Sequence, residues 1–313
     1  MHLLIPFAAP LSEAGRQAAA TLALPNLQAL LSRCTETQRD NADEWSFSPP
    51  HERALALALG WQGADGLLPW AARAAKADGI ATADQAFGLV TPSHWHLGTD
   101  QISLINPADL MLDETTARAL FEVIAPLFTS EGFAMHYATV QRWYLAHECL
   151  TGLATASIDR VIGRNVDGWM GKDRAAQRLR RMQSEVQMLL YTHPLNDERI
   201  ARGLLPVNSF WLSGCGVSQP EGANPPSIDE RLRGPALADD WAAWCKAWQT
   251  LDAGPLAALR ADAEAGKPAV LTLCGERAWA RFEVRPRSLT QTLHQTLRGW
   301  WAPTDPKAVL ETL

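Results

Sequence analysis

This sequence has no CxxC pair. Its five cysteines, Cys34, Cys149, Cys215, Cys245 and Cys274, are scattered and odd in number, which argues against a secreted disulfide framework and for reduced, buried thiols. No zinc-type spacing appears either. No apolar run reaches the length that spans a membrane. The N-terminus, Met1-His2-Leu3-Leu4-Ile5-Pro6-Phe7, lacks the basic start and long apolar centre of a signal peptide. An excess of positive charge is also missing. Lysine and arginine number 28 against 34 acidic residues, a formal net charge of -6, so there is no basic footprint for nucleic acid. A small anion held by local arginines stays open. The expected setting is cytoplasmic, with neither nucleic acid nor membrane as a partner. No internal repeat is visible.

What is there is ordinary globular material. Hydrophobic residues make up 47% of the 313 and charged residues 20%, enough for one large domain or two modest ones with a real core. The 13 tryptophans are read as core filling. Leu3 to Phe7 suits a short buried strand. A helical stretch from Ser12 to Arg33 is interrupted by Pro25, which restarts it. Thr35 to Pro50 reads as a polar loop. Helices are expected at His51–Leu59, ended by Gly60, and at Leu67–Ala77. Phe87–Val90 and Ile102–Ile105 read as strands. Asp113 caps a helix with Ala117, Leu120, Phe121, Ile124 and Phe128 on one face. Phe133–Tyr137 and Arg142–Leu145 suit a hairpin. In Asp173–Tyr191 the inner stripe is Ala176, Leu179, Met182, Val186 and Leu189, with Arg178, Arg181 and Glu185 elsewhere. Asn208–Leu212 reads as a strand, and Gln219–Pro235 as a linker or long loop. Trp241, Trp244, Trp248 and Leu251 mark a helix, Ala269–Cys274 and Trp279–Val284 a strand pair, and Ser288–Trp301 a closing helix. Alternating strands and helices imply an α/β layered sheet with helices on both faces.

Three polar constellations could carry chemistry. The densest lies between Ser184 and Gly216, where His193, Asn196, Arg199, Arg202 and Asn208 supply donors suited to a phosphate or carboxylate. Ser213-Gly214-Cys215-Gly216 could add backbone N–H groups. The same side chains could equally serve as caps and loop ties. Asp159, Arg160, Arg164 and Asn165 form a second cluster, which could bind an anion with Arg199 or hold a turn. His94 and His96 alternate around Trp95, so on a strand both face one way and, with Asp100, could hold a metal. His147, Glu148 and Cys149 make no recognisable triad.

The stretch SEVQMLLYTHPLNDERIARGLLPVNSFWLSGCG resembles a segment of archaeal-type cofactor-independent phosphoglycerate mutases, through His193, Pro194, Asn196, Arg199, Gly203, Pro206, Asn208, Gly214 and Gly216. LPNLQALL near the N-terminus resembles the Pro-Asn-Leu helix start of that family and of the wider alkaline phosphatase superfamily. SPPHERALALALG, HWHLGTD and ASIDRVIGRNVDGW resemble bacterial proteins described as predicted phosphoglycerate mutases or RpfE-type regulatory proteins. The resemblance implies a trimmed alkaline phosphatase-like fold, in which a long middle segment can pack as a second lobe. The expected division is 1–218 as the mutase-like region, 219–235 as linker, and 236–313 as a C-terminal α/β segment packed on the same domain. The departures bear on activity. Where the family's first strand ends in a metal-binding Asp-Gly, this chain has Phe7-Ala8. Thr21 and the more distant Ser12 are the candidates at the nucleophile's place. After His193 the only histidine is His294, where the family has a late Asp and His cluster for two metals. Phosphoryl transfer of that kind needs an activated nucleophile and metals. A catalytically degenerate, regulatory protein that binds a small anionic, phosphorylated ligand or a protein partner is therefore expected, with no cofactor favoured over a divalent metal. The alternatives are an active metal-dependent phosphotransferase or hydrolase, and a pure interaction module docking through its tryptophan-rich C-terminal part.

Overall fold

A computed structural model describes residues 1–171, 174–284 and 305–313. The first half runs β1 (His2–Ile5), α1 (Glu13–Thr21), α2 (Pro25–Leu31), β2 (Cys34–Asn41), α3 (Pro50–Leu59), α4 (Trp70–Ala77), β3 (Ala86–Ser93), β4 (Trp95–Leu97), β5 (Ile102–Leu104), α5 (Glu114–Ser130), β6 (Ala134–Thr139) and β7 (Arg142–Ala146). Then come α6 (Ile158–Val161), α7 (Arg174–Tyr191), α8 (Pro194–Ala201), β8 (Ser209–Val217), β9 (Ser227–Ile228), α9 (Arg233–Leu237), α10 (Trp241–Leu251), α11 (Ala257–Glu264), β10 (Val270–Cys274) and β11 (Ala278–Val284). A short helix, Pro306–Leu310, follows near the C-terminus. The chain is mixed α/β, with multi-strand sheets flanked by helices. The closing helix expected at 288–301 lies outside the described residues. No helix among the described residues is long and apolar enough to cross a membrane.

Two units divide the chain, one of Met1–Glu44, Pro49–Gly60 and Glu221–Leu313, the other of Trp45–Ser48 and Trp61–Pro220. The first holds a five-stranded sheet in the order β2-β11-β10-β1-β9. β1 runs parallel to β10, with Leu3 beside Leu271 and Ile5 beside Leu273. That pairing places residues 1–44 with the C-terminal segment rather than with 61–218. Leu3, Ile5, Leu271 and Leu273 share a core with Leu27, Leu30, Trp244 and Trp248 of α2 and α10. Leu4, one residue out of phase, turns to the opposite face, where α3 packs on β1 and β10. Thr35 to Asn41, which the sequence reads as part of a loop, lies in strand β2. Its sequence, CTETQRDN, has no apolar alternation because it is the sheet's edge strand, held to β11 by backbone pairing from Cys34 to Asn41.

Asp252 ties this unit across the sequence. Its buried carboxylate accepts from Leu27 N at 2.8 Å, Asn26 N at 3.2 Å and Asn26 Nδ2 at 3.1 Å, satisfying free donors at the start of α2. It sits where α10 runs into a π-helical turn at Asp252–Leu256, with Pro255 inside. The tryptophan helix packs as its spacing implies, with Trp244, Trp248 and Leu251 fully buried.

The second unit carries the antiparallel sheet β6-β7-β3-β8. On one face α5 and α7 contribute Leu120, Phe128, Val186 and Leu190 to a core with Trp143 and Phe210. On the other, Ala71, Ala72 and Ala75 of α4 meet Phe87 and Tyr144. This close approach needs Gly214. Its φ is +63°, and a Cβ there would stand 2.9 Å from both Ala71 N and Trp70 Cβ. The expected cap holds, since Asp113 accepts from Thr116 N at 2.8 Å. The expected hairpin forms as β6 and β7, with Met135 beside Leu145.

His2 gives the first unit a pH dependence. Its Nε2 lies 2.9 Å from Thr272 Oγ1. Burial, aided by the charge of Arg281, pushes its pKa down to about 4 from an ordinary 6.5. The folded chain holds the ring neutral while the unfolded chain protonates it below about 6.5, so stability is full above that pH and falls as pH drops toward 4. Urea midpoints should decline from pH 6.5 to 5, and His2→Gln should flatten that decline; an unchanged slope would remove His2 from the account.

Candidate functional site

The segment from His193 to Asn208 is built as a clamp. His193 caps α8, its Nδ1 accepting from Leu195 N at 3.3 Å. Asn196 is buried, and its amide donates to Leu190 O at 2.9 Å and Val207 O at 2.8 Å while accepting from Val207 N at 2.9 Å. Asn208 accepts from Trp95 N at 2.7 Å and donates to Trp95 O at 2.9 Å. The guanidinium of Arg199, 1% exposed, donates from Nε to Leu205 O at 2.9 Å and from Nη2 to Leu110 O. Its Nη1 has no hydrogen-bond partner. Burial lowers its pKa, the Asp113 carboxylate works against that, and Arg202 adds to it. Arg202 itself is exposed at the end of α8. The amides of Asn196 and Asn208 and the Nε and Nη2 of Arg199 turn to backbone carbonyls. They close loop carbonyls that helix and sheet leave unpaired. The glycines at 214 and 216 lie inside β8, and Gly214 faces Trp70 and Ala71 across a contact with no room for a Cβ. The strand therefore does not end in an anion nest, because α4 covers it.

His94 and His96 do face one another, with ring centroids 6.3 Å apart. His94 Nδ1 lies 2.9 Å from Pro206 O. Its pKa is lowered by burial, with the Pro206 bond opposing and His96 adding. Asp100 does not complete a set, because it sits in the exposed turn between β4 and β5. Among the described residues no three His, Cys, Asp or Glu side chains form a group that could hold a metal. The expected nucleophile positions are also engaged: Thr21 donates its hydroxyl to Ala18 O at 2.7 Å, and Ser12 caps α1 by accepting from Gly15 N at 3.1 Å. All five cysteines are free, and burial pushes the Cys215 thiol up to about 12, away from thiolate chemistry. His147 accepts from the Cys149 backbone N–H at 3.0 Å and packs on Phe133, so it does not activate that thiol.

Arg160 and Arg164 stand elsewhere, Arg160 in α6 and Arg164 beside Trp169. Arg160 is buried and donates to Ser46 Oγ at 2.8 Å. The guanidinium carbon of Arg164 lies 5.8 Å from the Trp169 ring centroid. Trp45 stacks on the same ring at 5.4 Å. Trp169 is held by a 3₁₀ turn, Val166–Trp169, capped by Asn165, whose Oδ1 accepts from Asp167 N at 3.1 Å. Beside Trp169 is a pocket of about 60 Å³, lined by the 153–156 loop, Arg180 and Gln183 of α7, and Phe210, Trp211 and Leu212 of β8. Trp211 is fixed by donating Nε1 to Ala156 O at 2.9 Å, and Gln183 by donating to Phe210 O at 2.7 Å. Arg180 donates Nη2 to Gly171 O. Its Nε and the Nε1 of Trp169 are buried with no hydrogen-bond partner. At this pocket the unpartnered buried polar atoms are thus donors alone, and each costs roughly 1–3 kcal/mol if it stays unpaired. None of His193, Asn196, Arg199, Arg202 or Asn208 lines it. Sequence reasoning passed over Trp169, Arg180 and Trp211. One signal was available: Arg180 falls on the face of Ala176, Leu179 and Gln183, a cation set in an apolar helical stripe.

A stability measurement tests the clamp. Asn196→Ala strands three backbone groups and should cost about 3 kcal/mol in urea unfolding. Asn208→Ala, at a half-buried position, should cost about 1 kcal/mol. Loss of under half those values would show that water replaces the clamp.

No family model matches the chain, and no curated protein matches it. Two solved structures are similar over most of its length. A cofactor-independent phosphoglycerate mutase from Thermoplasma acidophilum is 14% identical, with 90% of this chain and 88% of that chain covered and a TM-score of 0.38. The PH0037 protein from Pyrococcus horikoshii is 12% identical, with 90% and 87% covered and a TM-score of 0.42. Neither similarity assigns a residue or a reaction to this chain.

Proposed function

We propose that this chain is a mutase-like, catalytically degenerate protein that binds a small anion in a regulatory role. Its lineage rests on the sequence resemblance given above. The binding rests on one observation: Arg180 Nε and Trp169 Nε1 are buried without partners at the wall of a single pocket. A guanidinium that gives only one bond, to a backbone carbonyl, at an apolar wall is incompletely compensated, and an anion supplies what is missing. The degenerate half of the reading is supported by Phe7-Ala8 where the family has a metal-binding Asp-Gly, and by the engagement of Thr21 and Ser12 in helix ends.

A second reading, an active metal-dependent phosphotransferase or hydrolase, has the facing His94–His96 pair in its favour. Zinc that copurifies stoichiometrically and is lost in His96→Ala would support it.

Titration calorimetry with acetate should give binding that weakens at least tenfold in Arg180→Met, at an unchanged far-ultraviolet circular dichroism spectrum; equal affinity in the two proteins would overturn the site. In a coupled assay the purified chain with manganese should not interconvert 3- and 2-phosphoglycerate. Manganese-dependent turnover would overturn the degenerate reading.

A further inference from the structure

The composition of the pocket narrows the anion it can take. Its walls are Trp169, Trp211 and Phe210 on the aromatic side and Leu153, Leu179 and Leu212 on the aliphatic side. One guanidinium lines it, and no carboxylate or histidine does. Such a wall balances a single negative charge. A phosphate monoester carries nearly two charges at neutral pH and would have to shed a tight hydration shell against surfaces that return few hydrogen bonds. A carboxylate carries one charge, and its two coplanar oxygens match neighbouring N–H groups of a planar guanidinium. The aromatic wall is pre-ordered. Trp211 is pinned by its bond to Ala156 O. Trp169 stacks on Trp45 and lies against Phe47, with centroid separations of 5.4 and 6.5 Å. Ordered ring edges favour a flat apolar partner by edge-to-face contact. The volume, about 60 Å³, corresponds to roughly four waters, room for a carboxylate and the leading edge of a ring.

We infer that this pocket selects a monocarboxylate with a flat, apolar body, an aromatic carboxylate in the simplest case, over phosphate esters and over neutral aromatics. The inference rests on the anion-binding reading of the same pocket and adds the class of ligand. Arg180 holds the carboxylate, its Nε donating to one oxygen, while Trp169 and Trp211 pack on the body.

Calorimetric titration of the full chain with benzoate, acetate, benzamide and inorganic phosphate tests it. Benzoate should bind at least tenfold more tightly than acetate, and more tightly than benzamide or phosphate by a similar factor. In Arg180→Met the preference for benzoate over benzamide should disappear. If that variant does not fold, the comparison of benzoate with benzamide on the native protein still decides. Acetate and benzoate binding alike, both dependent on Arg180, would overturn the ligand class and leave the anion site standing. Phosphate bound in preference to benzoate would overturn it in the same way. Absence of binding by all four would overturn both.

Discussion

Three hydrogen bonds made by one buried amide join α7 to β8 in the second unit. Asn196 holds the carbonyl of Leu190 at the end of α7 and both backbone groups of Val207 just before β8. With these bonds made, the last turn of α7 and the start of β8 cannot slide past one another. That register sets which side chains of α7 stand over which residues of β8. Gln183 then reaches Phe210 O, and Gln187 reaches Ser209 Oγ at 3.2 Å. Arg180, one turn earlier, stands at the pocket beside Trp211. A backbone group buried without a partner costs as much as a lost hydrogen bond, so the clamp is enforced by the loop it satisfies.

Two buried or half-buried arginines illustrate how similar chemistry divides into structure and binding. Arg199 has two carbonyl partners and lies in a sealed environment. Arg180 has one carbonyl partner and lies at a pocket wall. The planar fork of a guanidinium suits both tasks, since it can close several loop carbonyls at once or grip a planar anion. What differs is the space beside it. The first unit uses a carboxylate in the reverse sense, where Asp252 gathers the free N–H groups of α2.

The residues that carry the mutase resemblance are, in this chain, the residues of the clamp. His193, Asn196, Arg199 and Asn208 all find partners in the backbone around α8. Donors of this kind can serve local folding alone, since a fold and the chemistry it carries are separable.

The sequence by itself determined the elements whose signals are local. The apolar period of α7, the tryptophan stripe of α10, the Asp113 cap and the strand pair around Gly275-Glu276 all follow from neighbours within a few residues. His94 and His96 lie near one another, as their spacing implies, although His94 falls just outside β4. Only the tertiary structure decided the rest. β2 is a strand because β11 lies beside it, and a polar edge leaves no apolar pattern to read. Residues 1–44 join the C-terminal segment because β1 pairs with β10 across more than 260 positions. Whether Asn196 and Arg199 tie a loop or hold an anion cannot be read from their chemistry, since both tasks need the same donors. The pocket draws its walls from a loop, a 3₁₀ turn, a helix and a strand. Space between such elements is a property of packing, and no stretch of sequence contains it.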